Sequence, residues 1–311
     1  VDAGQPVDAG EEPDAGDVPD AGESPDAGTR PVGTVTGRVV EALTGGTVAL
    51  AGFKVSVDGT ARSATTAADG SFTLADLDVG ATVGLRVAGA TVGGRTYSGT
   101  FRAVPVADGV VTPVTFELLR GCRGEVNLSG SEGSFSSSRC GYEGVPVSVT
   151  LPGGGVQGED GSPVPVVDVQ VVTLPVELLG RASGASLVAF PGDLSARRTG
   201  GEEVFLESRG AIEVRLTNAV NGAPVHLAPG RTARLRFPAT AEALDDATVP
   251  AWWFDESSQR WVEEGTTTVA TDAATGALVH ELTVSHFTWW NADVPATRAC
   301  LGGRLVDTQG T

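Results

Sequence analysis

The 311-residue sequence contains no methionine, a single lysine (Lys54), three cysteines, three histidines and two tyrosines. A chain without an initiator methionine is expected to be a processed or cut form of a longer one. Nearly all of its positive charge is arginine, and no basic run interrupts a formal net charge of −18 and a pI of about 4.5. Such a field repels phosphate backbones and anionic membrane surfaces, which excludes nucleic acid as a partner. The longest apolar stretch, Val164–Leu179, is broken by Pro165, Asp168, Gln170, Pro175 and Glu177, whereas a membrane-spanning helix needs about 20 apolar residues. Membrane contact is therefore expected only through a lipid anchor upstream of Val1.

Catalytic and metal-binding signatures are equally scarce. The sequence has no CxxC, no Cys/His cluster at zinc spacing, no HExxH, no nucleophile elbow, no phosphate-binding loop and no D-x-D-x-D-G loop. No cofactor and no metal are expected. His280 and His286, read as members of one strand, would lie on one face about 20 Å apart, too far to share an ion. Glu263 and Glu264 read as a solvated face rather than an acid/base pair.

What is present is the composition of an all-β protein. Charged residues are 19%, aromatics 5%, and 43 positions are glycine, with valine and threonine alternating with small polar residues over short stretches. The first thirty residues repeat Asp-Ala-Gly at Asp2, Asp8, Asp14, Asp20 and Asp26. This segment has too few bulky apolar side chains to offset the entropy of folding, so residues 1–31 are expected to be a disordered acidic tether. At about 3 Å per residue it would reach roughly 80–90 Å. It reads as a surface spacer or as a linker between domains.

From Val32 the rhythm changes. Val55 and Val57 alternate with Ser56 and Asp58, Asp58-Gly59 and Asp69-Gly70 supply turns, and Phe72 with Leu74 restarts the inward face. Leu85, Val87, Val114, Phe116 and Leu118 continue the set. About seven short strands in a sandwich over residues 32–119 follow from this pattern. Gly37, Val39, Gly52, Val55, Val57, Gly59, Thr60, Thr65, Asp69, Gly70, Phe72, Leu74, Leu77 and Gly80 fall on the pattern of carboxypeptidase regulatory-like (transthyretin-like) domains, which this segment resembles. The resemblance implies a β-sandwich and no particular activity.

Residues 120–295 read as a second, larger sandwich, with alternation in Val145–Val149, Val167–Val171, Ile212–Leu216 and Ala233–Phe237, and one short helix over Thr240–Ala247. Residues 296–311 echo the start of the first module, since Gly303-Arg-Leu-Val-Asp307 matches Gly37-Arg-Val-Val-Glu41. A third sandwich, truncated at Thr311, is expected there. Cys122 and Cys140 flank a Ser/Gly-rich segment that could double back to form a disulfide, leaving Cys300 to a partner outside the chain. Three buried free thiols are the alternative.

All five tryptophans lie in the second module: Trp252, Trp253, Trp261, Trp289 and Trp290. Adjacent strand residues face opposite ways, so Trp252–Trp253 and Trp289–Trp290 each offer one ring to each side. The second ring is either covered by loops or a neighbouring module, or exposed as a platform for a glycan or protein. In His286-Phe287-Thr288 a threonine hydroxyl could attack the preceding carbonyl with a histidine as base. The Trp-Trp-Phe-Asp…Trp…Gly…His-Phe-Thr layout resembles self-cleaving ZU5 and GAIN-type sandwiches, although the cysteines flanking the GAIN cleavage point are absent. It also resembles the ectodomain of cartilage intermediate layer proteins and related bacterial surface proteins. These resemblances imply either cleavage at Phe287–Thr288 or a buried structural His-Phe-Thr. The expectation is a non-enzymatic extracellular or cell-surface module, part of an outer-membrane lipoprotein, whose partners are neighbouring sandwiches of its own polypeptide. A ligand-binding module is the alternative.

Overall fold

In the computed structural model the described residues are 30–296, apart from 44, 81, 143, 175–189 and 247. The Asp-Ala-Gly repeat, Cys300 and the expected opening strand of a third module lie outside them. The described chain is all-β, with several packed sheets. The only helical turn among the described residues is a 3₁₀ turn, Ala241–Leu244, in place of the short helix expected there. It buries Ala243 alone and has no side-chain cap, so nothing extends it.

The first nine strands are β1 (Val32–Glu41), β2 (Lys54–Val57), β3 (Ser63–Thr65), β4 (Ser71–Asp78), β5 (Thr82–Val87), β6 (Ala90–Val92), β7 (Arg95–Tyr97), β8 (Thr100–Pro105) and β9 (Val111–Leu118). A three-stranded sheet, β4-β1-β9, faces a four-stranded one, β3-β2-β5-β8. Their inner faces enclose Val35, Val39, Phe53, Val55, Phe72, Leu85 and Phe116. Val55, Phe72, Leu85 and Phe116 are alternating residues of the sequence pattern, and the pleat turns them toward the facing sheet and out of water. Gly70 shows why one turn needs glycine. Its φ is +76°, and a Cβ there would stand 2.5 Å from the Val39 carbonyl oxygen.

The larger body contains β10 (Arg120–Asn127), β11 (Gly133–Ser137), β12 (Val147–Leu151), β13 (Val156–Gly158), β14 (Val166–Thr173), β15 (Ser195–Arg197) and β16 (Glu203–Asn218). It continues with β17 (Val225–Leu227), β18 (Ala233–Pro238), β19 (Val249–Asp255), β20 (Arg260–Thr271), β21 (Leu278–Val284) and β22 (Trp289–Ala296). One layer runs β10-β14-β16-β22-β19-β20 and the other β20-β21-β18-β12-β11. Strand β20 belongs to both: Arg260–Thr267 pairs with β19, and Thr268–Thr271 pairs with β21. A strand that changes sheets is one way to make the corner of a sandwich.

Between the layers lie Val149, Val169, Val171, Val214, Leu235, Phe237 and Trp290. Cys122 on β10 is bonded to Cys140 beyond β11, at S–S 2.03 Å, which ties the two layers together through a bridge to this interior. The opposite face of the β16–β22–β19 layer carries a second apolar cluster of Leu206, Trp252, Phe254, Trp261 and Trp289, joined by Ala42 and Leu119 from the ends of β1 and β9. This layer is covered on both faces, and the first sandwich provides part of that cover.

Candidate functional site

The tryptophan pairs sit where this doubly covered layer is thickest. Trp252 and Trp289 point into one cluster and Trp290 into the other, with Trp253 packed at the margin of the second. The alternation expected from the sequence is therefore present, and of the two outcomes open to the second ring the covered one is found at Trp289. Trp289 is 4% exposed, because a face that a two-layer sandwich would leave to water is here buried under a second apolar cluster. Phe190 packs against both Trp261 and Trp289, with ring centroids 6.2 and 6.5 Å apart. Only Trp253 among the five is partly open.

His286 closes over that ring. Strand β21 ends at Val284, so His286 lies in the turn beyond it, and the two histidines do not share a strand face as their spacing suggested. Its imidazole stands edge-on to Trp253 at 4.9 Å and tilted to Trp290 at 5.0 Å, between ring centroids. The Trp290 indole N–H donates to the His286 carbonyl at 3.3 Å, and His286 Nε2 lies 3.5 Å from Glu264 Oε2. The Thr288 hydroxyl donates across the sheet to the Phe254 carbonyl at 3.0 Å. An acyl shift at Phe287–Thr288 needs that hydroxyl on the Phe287 carbonyl carbon with a base beside it. Here the hydroxyl proton is directed to the Phe254 carbonyl, and the imidazole faces Glu264 and the Trp253 and Trp290 rings.

A buried polar network that no sequence motif marks lies a few residues away. In β16 a bulge between Ser208 and Gly210 leaves Arg209 without a partner residue on β22. The bulge turns the Arg209 N–H onto Asp293 Oδ1 at 3.3 Å, and the Arg209 carbonyl lies 3.2 Å from His280 Nε2. A carbonyl can only accept, so Nε2 carries the hydrogen and Nδ1 accepts from the Thr267 hydroxyl, 3.0 Å away. Burial pushes the His280 pKa down to about 4, so the ring is neutral at pH 7. Gly210 makes the fit: a Cβ there would meet the Pro238 carbonyl oxygen at 2.5 Å and the His280 ring at 2.7 Å.

Asp293 is fully buried, and burial raises its carboxyl well above the usual carboxylate range. The side-chain amide of Asn291 bonds it, Ser208 Oγ donates to Asn291 Oδ1 at 2.8 Å, and the Trp252 indole donates to the Asp293 carbonyl oxygen at 3.1 Å. Each group satisfies another, which is what lets polar atoms lie in an apolar interior. One signal in the sequence could have found them. Trp289, Asn291 and Asp293 share a strand face, so a buried Trp289 brings the two polar residues inside with it.

Glu213 and Arg215 also depart from the sequence reading. Alternation in Ile212–Leu216 sends them outward, yet Glu213 is buried, because that face receives the first sandwich. Burial raises its carboxyl, partly opposed by Arg215 at 3.5 Å. The Gly99 N–H donates to Glu213 Oε2 at 3.2 Å, and Arg215 Nη2 donates to the Tyr97 carbonyl at 2.6 Å. Strand β7 extends the larger body's sheet by pairing Thr96 and Tyr97 with Gly121 and Arg120. The Tyr97 hydroxyl donates to Glu41 Oε2 at 2.9 Å, and Glu41 Oε1 holds Arg120 Nε at 3.0 Å. Together these contacts form a seam between the two sandwiches.

His226, the third histidine, is exposed beside Gln157. Among the described residues no group of three or more His, Cys, Asp or Glu is placed to hold a metal ion. No protein-family profile and no curated protein matches this chain.

Proposed function

We propose that the chain is a non-enzymatic structural module of an exported, cell-surface protein, in which two sandwiches act as one stiff unit displayed beyond an acidic spacer. The observation that carries this reading is the seam. The β6–β7 hairpin of the first sandwich is hydrogen-bonded into the sheet of the second, and Glu213, Arg215 and Glu41 are consumed in fixing the junction. Such a junction holds an orientation, which is the property a displayed or bracing module needs. The Cys122–Cys140 bridge supports an oxidising compartment. The resemblance of residues 32–119 to carboxypeptidase regulatory-like domains, and of the Trp-rich segment to surface-protein sandwiches, supports the same reading. The partners are neighbouring sandwiches of the same polypeptide, with membrane contact only through an upstream lipid anchor.

Protease treatment of intact cells carrying the epitope-tagged full-length protein tests this. Digestion of the tagged module without lysis is the expected result, and protection until lysis would overturn the surface assignment. A second reading, a binding surface for a glycan or protein, rests on the partly open Trp253 ring. A glycan-array screen of the wild-type chain and Trp253→Ala tests it: a hit lost in the variant would establish it, and an unchanged blank array would remove the glycan version.

A further inference from the structure

The chain enters the first sandwich along β1 and leaves it along β9, and these two strands are parallel neighbours. Their register runs without a break from Thr34↔Val111 to Glu41↔Leu118, eight pairs that span about 23 Å at 3.3 Å per residue. On its other side β1 is paired antiparallel with β4, from Val32↔Asp78 to Arg38↔Ser71. It is therefore the central strand of its sheet.

The two ends of this pair have different surroundings. At the near end Val32 receives the N-terminal segment. At the far end Ala42 and Leu119 follow directly on β1 and β9, and both are buried in the apolar cluster of the larger sandwich with Val172, Leu174 and Leu206. The Ala42 N–H donates to the Leu118 carbonyl at 2.9 Å, and Glu41 is held by Arg120 and Tyr97. The far end is thus anchored in the second body, and the near end is where a tether would pull.

We propose that the parallel β1–β9 pair is a shear clamp, which gives the chain the further function of carrying tension between its N-terminal tether and the larger sandwich. The proposal rests on reading the chain as a tethered surface module. Tension applied at Val32 and resisted beyond Leu118 runs along the axis of β1. Every ladder hydrogen bond to β9, and every one to β4, then bears load together, and none can be lost before the strand slides as a whole. The same strand pulled sideways would lose its bonds one pair at a time. Rupture under force is governed by the barrier to unfolding and not by equilibrium stability, so the direction of pull decides the resistance of a single fold.

Single-molecule pulling on the full chain in two geometries tests the clamp, with Cys300→Ser removing the competing thiol. Handles at Arg30→Cys and Glu125→Cys load β1 lengthwise. Handles at Arg30→Cys and Asp78→Cys load it crosswise, because Asp78 lies opposite Val32. The lengthwise rupture should need several times the crosswise force at the same loading rate. It should also lengthen the molecule by about 300 Å as Val32–Leu118 is released at about 3.5 Å per residue. A lengthwise force no higher than the crosswise one overturns the clamp. So does a first event that frees some other length while β1 and β9 stay paired. Failure of the surface-module reading shows elsewhere, in protection from protease on intact cells, and leaves these forces unchanged.

Discussion

The smaller sandwich fills its interior with Val35, Val39, Phe53, Phe72, Leu85 and Phe116. Its buried Thr66 is satisfied locally, by the Phe53 N–H and the Leu50 carbonyl. The larger body encloses His280, Asn291 and Asp293 along with its aliphatic residues and four fully or nearly fully buried tryptophans, and it buries Glu213 against the smaller one. An apolar interior tolerates any set of side chains of suitable volume, whereas a buried polar network demands one arrangement, since each unmatched group costs its desolvation. The larger body is therefore the more specified of the two. Its response to pH should be correspondingly greater.

The largest effects are expected from emptying each interior. Trp252→Ala in the larger body and Phe116→Ala in the smaller remove side chains that are fully buried, and each should cost about 3–5 kcal/mol in denaturant titration. With the seam intact both should shift one shared transition. A separate early transition in Phe116→Ala, silent in tryptophan fluorescence, would break the picture of a single unit. Next comes the Cys122–Cys140 bridge, which closes a sequence separation of 18. Removing it as Cys122→Ala/Cys140→Ala should cost about 3 kcal/mol on the loop-entropy account, and a loss below 1 kcal/mol would show that sheet pairing already fixes that segment.

Acid should then separate the two interiors. The folded His280 pKa of about 4 lies below the ordinary 6.5, so the fold favours the neutral ring. That contribution is intact above pH 6.5 and is lost as pH falls from 6.5 to 4, by about 3 kcal/mol. His280→Gln should flatten this part of the stability–pH curve, and an equally steep curve in the variant would assign the loss to other groups. Asp293 has the opposite sign, because its folded pKa is raised. Its contribution is full below the ordinary carboxylate range and is lost as pH rises through the raised value. Asp293→Asn should accordingly gain on the wild type as pH rises, and a constant difference across the range would contradict a carboxyl whose pKa burial raises.

Thr288→Ala is expected to have the smallest effect, about 1 kcal/mol for one partly buried hydrogen bond to Phe254. Intact mass on the denatured protein should show one chain both with and without the substitution. Two fragments breaking after Phe287, present only with Thr288, would turn the structural turn into a self-processing site.

How much of this was legible in the sequence differs between the two bodies for a physical reason. Strands in the smaller sandwich alternate cleanly because one face of each sheet meets the core and the other meets water, so residues such as Val55, Val57, Phe72 and Leu74 declare themselves. The central layer of the larger body is buried on both faces, so alternation there separates one interior from another and no longer separates inside from outside. Alternation alone points Glu213 and Arg215 outward for that reason, and it left open whether the second ring of each tryptophan pair was covered or exposed. The bulge at Arg209 left no clear mark, because only Gly210 hints at it and many glycines serve ordinary turns.

The sequence by itself determined that the chain is built of β-strands, which short-range periodicity and turn residues dictate. It also placed Cys122 and Cys140 as candidates for a bridge. Tertiary structure alone decided that the β6–β7 hairpin joins the other body's sheet, that β1 and β9 run parallel toward an end buried in the larger body, and that His280 and Asp293 are joined through the bulged Arg209. These are pairings between residues far apart in the chain. Local pattern carries no information about which distant partner satisfies a hydrogen bond or covers an apolar face, and only the closed packing of both bodies selects it.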